Sequence, residues 1–304
     1  MMQAAQTGIF ALGTRAHEFL EYTLRPSASD EAVRSAIGTM RDCTAGLDAH
    51  VVVAFGSRAL PRVCPQLAAL VLADAVAIHS PTRSAPATPR DIWVWVHADG
   101  PDAVFDAVRT VQHALEPVAE VTLDQPGFVY RDSRDLTGFI DGTENPEPAQ
   151  APEVAVLASG QLGAAGGFVM SMRWLHDLDA FGALSVADQE RVIGRTKQDS
   201  VELSPIPADA HIARVVIEED GDELEIYRRS VPFGDATEQG LYFVAFSAEP
   251  QRFERMLARM FGTAGDGLHD HLTDFSRPVT NARWFAPASS DLDAAVGPAA
   301  HSPM

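Results

Sequence analysis

The stretch GFIDGTENP, residues 138–146, sets an acidic side chain, Asp141, between the apolar pair Phe139–Ile140 and two turn signals. Asp-Gly and Asn-Pro dipeptides both favour turns, because glycine accepts unusual backbone angles and proline fixes its own. A carboxylate drawn toward an apolar interior costs free energy unless it has a partner or a task. Asp141 is therefore a candidate member of an active site, and the alternative is that it only caps its own turn.

A second group of polar side chains surrounds the segment 211–231, which predicts a β-hairpin with an Asp-Gly-Asp turn. One predicted arm begins at His211, and the other carries Glu223, Arg228 and Ser230. An imidazole, a guanidinium and a hydroxyl would then meet at the mouth of the hairpin. A shared active site is one interpretation, since burial of several charged groups is costly without a purpose. The other is that a histidine and two arginines simply end solvated strands.

Other kinds of site are disfavoured by the spacing of their residues. His269 and His271 would share a face on a strand, as metal ligands can, but no third ligand is evident, so a zinc site is not predicted. The glycines of 160–167 and 262–267 lack the strand-to-helix context of a dinucleotide site. The Gly-x-Ser-x-Gly motif of many serine hydrolases does not occur.

The composition describes an acidic chain able to form a sizeable core. It has 304 residues, of which 46% are hydrophobic, enough for one large domain or two of ordinary size. With 23 Lys and Arg against 42 Asp and Glu, the formal net charge is −19. A surface of this sign repels nucleic acids and anionic membranes and favours neutral or cationic partners. No nucleic-acid partner is therefore predicted.

Cysteine usage and the absence of targeting signals predict a cytoplasmic protein. Cys43 and Cys64 cannot build a disulfide framework or a four-cysteine zinc site, and a reducing compartment suits two unpaired thiols. The N-terminal residues lack the basic and apolar regions of a signal peptide. No apolar run reaches the roughly 18 residues that a membrane helix needs, so no membrane association is predicted.

Hydrophobic periodicity predicts two halves of similar construction. In the first half the predicted strands are 7–13, 50–56, 91–98 and 120–130, and the predicted helices are 30–43 and 101–115. In the second half the predicted strands are 166–176 and 240–248, with the hairpin between them, and the predicted helices are 185–196 and 251–262. Each half is thus expected to be an α+β unit, an antiparallel sheet with helices on one side.

Five segments resemble the sequence blocks of the dye-decolourising peroxidases and occur in that family's order. They are RDLTGFIDGTENP (134–146), SVADQERVIGRTK (185–197), ADAHIARV (208–215), IYRRSVPFG (226–234) and GLYFVAF (240–246). The similarity covers most of 45–287 and is nearest to the cytoplasmic B subgroup. It implies the dimeric α+β barrel type of fold, with two ferredoxin-like halves, 1–133 and 134–287. It also implies one haem b per chain, bound in the C-terminal half. The tail, 288–304, belongs to an Ala-, Ser- and Pro-rich stretch and is expected to be flexible.

The resemblance implies a set of residues around the cofactor. His211 corresponds to the proximal iron ligand, and Glu223 falls where the family often has the acid that accepts a hydrogen bond from this imidazole. Arg195 is the candidate partner of a haem propionate, with an ordinary surface position as the alternative. Phe246 and Leu241 are expected to form walls of the pocket, and ordinary core packing is the alternative for both.

The resemblance also implies the groups that act on peroxide. Asp141 and Arg228 correspond to the distal pair, and Arg228 rather than its neighbour is chosen because it lies four residues before Pro232. Its positive charge is expected to keep the pKa of Asp141 near or below the ordinary value of about 3.9. Ser230 stands where many B members have Asn, and a hydroxyl has only one donor hydrogen. The turn residues expected against the cofactor are Gly142 and Thr143.

The activity implied is that of a haem-dependent peroxidase, which reduces hydrogen peroxide and oxidises aromatic or dye-like donors in one-electron steps. The alternative is a haem-handling protein, for storage, delivery or iron release, with incidental peroxidase activity. The resemblance further implies a homo-oligomer, whereas docking inside a protein shell is disfavoured because 286–304 lacks a clear apolar motif. Aromatic residues that are candidates for electron transfer, or alternatively core, are Trp93, Trp95, Trp174, Trp284, Tyr227 and Tyr242.

Overall fold

The computed structural model describes residues 4–219 and 221–297. Within these ranges the α-helices are α1 (Asp30–Thr44), α2 (Leu60–Val63), α3 (Pro101–Leu115), α4 (Ala151–Ala155), α5 (Leu178–Gly182), α6 (Val186–Ile193), α7 (His211–Val215), α8 (Gln251–Met260) and α9 (Ser289–Val296). The strands are β1 (Ala16–Leu24), β2 (His50–Phe55), β3 (Ile78–His79), β4 (Ser84–Ala85), β5 (Ile92–Ala98), β6 (Ala119–Phe128), β7 (Gly167–His176), β8 (Glu218–Glu219), β9 (Asp222–Glu223), β10 (Tyr227–Arg228), β11 (Val231–Gly234), β12 (Gln239–Ser247), β13 (Ser276–Pro278) and β14 (Ala282–Ala286).

One continuous antiparallel sheet links the two halves of the chain. Its main order is β10-β12-β7-β14-β2-β5-β1-β6, with β11 paired to β12 and β13 paired to β7. Strands of the first half meet strands of the second where Phe285 of β14 pairs with Phe55 of β2. The two sheets expected from the sequence are therefore joined edge to edge through a strand that comes near the end of the chain.

The far edges of this sheet approach each other, so the sheet encloses an inner core. Gly127 of β6 lies so close to Val231 of β11 that an added Cβ would stand 2.7 Å from the valine side chain. The inner core is made of large side chains from both halves, among them Phe19, Val52, Trp93, Trp95, Val169, Tyr242, Phe246 and Trp284. Packing of this kind requires both halves at once, because each contributes one wall.

Helices α1, α3, α8 and α9 pack on the face of the sheet opposite the inner core, whereas α4 contributes to the inner core itself. Several helices begin at recognisable signals. Ser29 caps α1 by accepting a hydrogen bond from Ala32, and α3 begins at Pro101. Ser185 caps α6, which ends at Gly194 with a φ of 96°. The predicted α+β fold, an antiparallel sheet with flanking helices, is confirmed. Among the described residues, none of the helices has the length and apolar character needed to cross a membrane.

Several elements differ from the prediction, and the strands β1 and β14 form where none was predicted. The segment 7–13 forms a short 3₁₀ turn, Thr7–Ile9, instead of a strand. The predicted hairpin at 211–231 is helical over α7 and pairs only over the two-residue strands β8 and β9. The tail expected to be flexible contains α9. Its Leu292 is buried in a second hydrophobic core, which is separate from the inner core. The last residues of the tail, 298–304, lie outside the described part of the chain.

Candidate active site

A cavity lies between strands β7 and β12 of the sheet and the helices α7 and α8, a concave and largely apolar setting of the kind that small molecules occupy. Its apolar walls are Met170, Met172, Trp174, Leu241 and Phe243 from the strands and Val215, Met256, Leu257 and Met260 from the helices. The polar residues that face it include Asp141, Glu144, His211, Glu223 and Arg228. The cavity therefore gathers a few charged groups within a largely apolar wall.

The position of a residue along β12 decides whether its side chain faces this cavity. Side chains alternate between the two faces of a strand, so Leu241 and Phe243 share the face that lines the cavity. Phe246 lies an odd number of residues from both and is buried in the inner core instead. Leu241 lines the cavity as expected, whereas the expectation that Phe246 lines the same pocket is wrong.

His211 is the first residue of α7, and a buried carboxylate fixes its ring. Its Nδ1 lies 2.7 Å from Oδ2 of Asp270, and the Asp270 side chain is fully buried. The other oxygen of Asp270 accepts a hydrogen bond from the backbone of Leu272, so the acid itself is held in place. A carboxylate on Nδ1–H leaves the lone pair of Nε2 for a metal. The ring of His211 is thus held so that Nε2 is available to a ligand or metal.

Asp270, rather than Glu223, provides this carboxylate. Glu223 lies at the rim of the cavity in β9 and is exposed. Partial loss of water at the rim is the largest cause of its raised pKa. The acidic neighbours Glu144 and Glu225 raise this pKa further, and Arg228 lowers it. The expectation that Glu223 accepts the hydrogen bond of the ligand imidazole is therefore wrong. In the sequence, Asp270 stands between His269 and His271, and that pattern indicates only the two histidines as possible metal ligands.

The loop that carries Asp141 is clamped to the strand that carries Arg228. Asn145, four residues after Asp141, donates a hydrogen bond to the Arg228 carbonyl (2.9 Å) and accepts one from the Arg228 backbone nitrogen (2.8 Å). The backbone of Asp141 donates to Ser133, and Gly142 turns the chain with a φ of 83°. Asn145 is thus a positioning residue that the sequence pattern did not single out beyond its turn signal.

Burial of Asp141 raises the pKa of its carboxyl group above the ordinary range. Burial raises the pKa of Asp141, the guanidinium of Arg228 lowers it, and the neighbouring Asp135 raises it further. Burial outweighs the positive charge, so the expectation of a pKa near or below the ordinary value is wrong. The Nε of Arg228 is buried without a hydrogen-bond partner. Such an atom indicates that a ligand belongs beside it.

A second cavity meets the first at Asp141 and Arg228, which line both. Its other walls come from the turn, from the strand after Arg228 and from the N-terminal half: Gly142, Thr143, Ser230, Thr14, His17 and Tyr130. The Ser230 hydroxyl bonds the backbone of Val244, accepting from its nitrogen at 3.2 Å. Ser230, Gly142 and Thr143 therefore lie near the distal pair but on this outer cavity.

Arg195 does not line the main cavity. Its guanidinium pairs with Glu144, which does line it, and with Glu202 at 2.7 Å. A further bond runs to the carbonyl of Ser200, while its Nε is buried without a partner. The structure thus sets Arg195 behind Glu144, one side chain away from the cavity.

These residues fit a haem. A flat apolar macrocycle needs apolar walls, and its iron needs one axial imidazole whose other nitrogen is hydrogen bonded. The methionine, phenylalanine and tryptophan walls meet the first requirement, and His211 with Asp270 meets the second. The unpartnered Nε of Arg228 would gain a partner from a ligand on the iron.

Family models match nearly the whole chain. The model of the N-terminal part of Dyp-type peroxidases matches residues 6–129, and the model of their C-terminal part matches residues 132–291. The chain is 41% identical over 224 residues to a dye-decolorizing peroxidase of Mycolicibacterium paratuberculosis. That alignment covers 72% of this chain and 63% of the relative's length.

Solved structures share the fold at similar identity. A variant of DypB from Rhodococcus jostii RHA1, solved in complex with heme, is 32% identical with a TM-score of 0.88, covering 96% of this chain and 99% of that one. The encapsulated DyP-type peroxidase from Mycobacterium smegmatis is 32% identical with a TM-score of 0.87, covering 96% of this chain and 98% of that one. The likeness thus extends over both halves.

Proposed function

Because the chain belongs to the Dyp-type peroxidase family and is a haem peroxidase, we propose that it uses hydrogen peroxide to oxidise aromatic donors in one-electron steps. The proposal rests on one observation: His211 and the pair Asp141–Arg228 line the same cavity, so that two groups of polar side chains serve one site. One group is His211 with its buried acid Asp270, and the other is Asp141 with Arg228.

On the proximal side, His211 would hold the iron through Nε2. Asp270 accepts the Nδ1 proton, which keeps the ring in one tautomer and makes the ligand more basic. A more basic ligand stabilises higher oxidation states of the metal. Bound haem would supply the redox chemistry of iron at this site.

On the distal side, Asp141 would take a proton from one oxygen of peroxide and return it to the other, departing oxygen. A base within hydrogen-bond reach of peroxide can perform both transfers. Arg228 stays positive and would stabilise the charge that develops as the O–O bond breaks. Asn145 holds the two groups at a fixed separation through its paired bonds to the Arg228 backbone.

The outer cavity would serve as the route for peroxide. It reaches Asp141 and Arg228 from the N-terminal half, whereas the main cavity has mostly apolar walls and would hold the cofactor. Its lining includes Thr14, Ser230 and Arg229, which are polar enough to admit a small hydrogen-bonding molecule. A bulky aromatic donor would not need to enter it.

The first test is spectroscopic. Apoprotein titrated with haemin is expected to develop the absorption of a histidine-ligated haem, and hydrogen peroxide is expected to change that spectrum within one turnover. An aromatic donor should then restore the original spectrum. A haem-handling protein would instead bind and release haem reversibly, and its spectrum would not cycle between peroxide and donor.

The pH profile of the peroxide reaction is expected to report on Asp141. Only the carboxylate accepts a proton, so the rate constant should rise as pH rises through the raised pKa of Asp141. Asp135→Asn removes a negative charge that helps to raise this pKa, so it should move the midpoint to lower pH. Stopped-flow rates measured against pH would test this.

Asp132→Asn is the matched control, because Asp132 is exposed and pairs with Arg134 in the segment before the same loop. Its profile should match the wild type. A midpoint that stays fixed in Asp135→Asn, or moves to higher pH, would contradict the role given to Asp141.

The net charge should discriminate between donors. A chain of formal charge −19 attracts cations and repels anions over distances set by salt. We expect kcat/KM for a cationic aromatic donor to fall with ionic strength and that for an anionic dye to rise. Steady-state rates for one donor of each sign at low and high salt would test this, and a parallel response of the two would contradict it.

We further propose that the chain acts in the cytoplasm as a homo-oligomer. The unpaired thiols of Cys43 and Cys64 suit a reducing compartment. The exposed side chains Val71 and Val76 line an apolar groove, which supports contact with another chain. Packing within a shell is a narrower possibility, supported by the encapsulated relative from Mycobacterium smegmatis. Size-exclusion chromatography with light scattering would test the assembly.

A further inference from the structure

A buried hydrogen-bonded cluster lies inside the sheet, between the two halves of the chain. The hydroxyl of Tyr242 donates to Oε1 of Glu21 at 3.0 Å, and Nε1 of Trp93 donates to the same hydroxyl at 3.1 Å. The hydroxyl of Ser171 lies 3.5 Å from Glu21 and accepts a bond from Trp284 at 2.9 Å. The buried carboxylate of Glu21 thus accepts from the phenol of Tyr242 and is linked, through the hydroxyls of Tyr242 and Ser171, to two indoles.

One thickness of sheet separates this cluster from the cofactor cavity. Leu241 and Phe243 of β12 line the cavity, and Tyr242 between them points to the other face. In β7, Ser171 lies in the same way between the cavity residues Met170 and Met172. The phenol ring is therefore separated from the cavity by the thickness of the sheet alone.

The cluster has the features of a proton acceptor rather than of ordinary core. A buried carboxylate is costly, and an apolar residue would fill the same space without that cost. Burial raises the pKa of Glu21 to about 7, although Tyr242, Arg90 and Ser171 lower it. A pKa near neutrality suits a group that must both take up and release a proton.

Aromatic rings continue from Tyr242 toward the outer cavity. Phe19 stacks on Tyr242 with 4.0 Å between ring centroids and lies 6.1 Å from Trp95. Nε1 of Trp95 donates to Nδ1 of His17 at 3.1 Å, and His17 lines the outer cavity. Burial lowers the pKa of His17 to about 4, so its ring is neutral and able to accept. Trp95, a second oxidisable ring, thus has a proton acceptor of its own in His17.

We propose that Tyr242, with Glu21 as its proton acceptor, is a proton-coupled redox relay between the oxidised cofactor and electron donors outside the main cavity. The relay rests on the proposed peroxidase function, which supplies the oxidant. Tyr242 gives one electron to the cofactor as its O–H proton passes to Glu21, leaving a neutral tyrosyl radical and a carboxylic acid. One electron from a donor, with return of the proton, restores the phenol and the carboxylate.

The test is electron paramagnetic resonance of haem-loaded protein frozen after peroxide is added without a donor. Wild type is expected to give a protein radical whose spectrum narrows when ring-deuterated tyrosine is incorporated. Tyr242→Phe should lose this tyrosyl signal, because it removes the O–H. Glu21→Gln should also lose it, because an amide keeps the size of the side chain but cannot take the proton.

Tyr22→Phe is the matched control. Tyr22 is the next residue to Glu21, is equally buried and bonds the neutral side chain of Gln112 at 3.2 Å. It should keep the wild-type radical. Absorption after peroxide is recorded for every variant, so that loss of the cofactor reaction is distinguished from loss of the relay.

Three outcomes would overturn the relay. A tyrosyl signal unchanged in Tyr242→Phe would assign the radical elsewhere, and one unchanged in Glu21→Gln would remove the role of the carboxylate. A wild type that reacts with peroxide without any tyrosyl signal would overturn the relay but leave the peroxidase function intact. A wild type that binds haem without reacting with peroxide would overturn both.

Discussion

Asp141→Asn is expected to slow the reaction of the haem-loaded protein with hydrogen peroxide by about 10²–10⁴-fold, the usual cost of removing a general base. Arg228→Leu is expected to slow it by about 10²–10³-fold, the usual cost of removing one charge-stabilising donor. Haem should remain bound in both, because neither residue touches the His211–Asp270 pair. Stopped-flow absorption after mixing with peroxide measures the rate constant.

Exposed residues of the preceding segment provide controls for charge. Asp132→Asn and Arg131→Leu change the same charges on the chain as the two test variants, and both residues are exposed. Their rate constants should equal the wild type. If Asp141→Asn and Arg228→Leu also react at the wild-type rate, the distal pair is not the catalytic pair, and the haem-handling alternative gains support.

The parts of the site that a sequence can predict are those carried by short motifs. Asp141 with its turn is contiguous, and Arg228 is fixed by its spacing to Pro232, so local pattern is enough for both. Asp141 and Arg228 both line the main cavity, as expected. The pKa of Asp141 was not predictable from its charged partner, because the burial that raises it depends on the whole surroundings of the loop.

The parts that could not be predicted depend on contacts between distant residues. The β-branched run after His211 predicts a strand, but α8 holds it as a helix. Arg259 of α8 donates to the carbonyls of Ala213 and Val216 at the end of α7, and Arg214 of α7 donates back to the Arg259 carbonyl. Tertiary bonds of this kind override local propensity.

Asp270 and the buried cluster are further examples of long-range organisation. Asp270 lies 59 residues from His211 along the chain, so no local spacing connects the ligand with its acid. Glu21 and Tyr242 belong to different halves and lie 221 residues apart. They meet only because the sheet joins at β14 and β2 and then closes on itself.

His211→Ala is expected to abolish histidine ligation of haem, and Asp270→Asn is expected to weaken haem binding by about 10–100-fold, as loss of a ligand's hydrogen-bond partner usually does. Both effects follow from the 2.7 Å contact between Nδ1 and a carboxylate that is fully buried. Titration of the apoprotein with haemin, followed by absorption, measures the ligand type and the affinity.

Asp274→Asn and Glu223→Gln separate the specific role of Asp270 from a general effect of charge. Asp274 lies one helical turn further on and pairs with Arg83, so its removal should leave the titration unchanged. Glu223 is exposed at the cavity rim, so Glu223→Gln should also leave ligand type unchanged. If instead Glu223→Gln weakens binding while Asp270→Asn titrates like the wild type, the acid that orients His211 is Glu223. An unchanged histidine-type spectrum in His211→Ala would remove the ligand assignment itself.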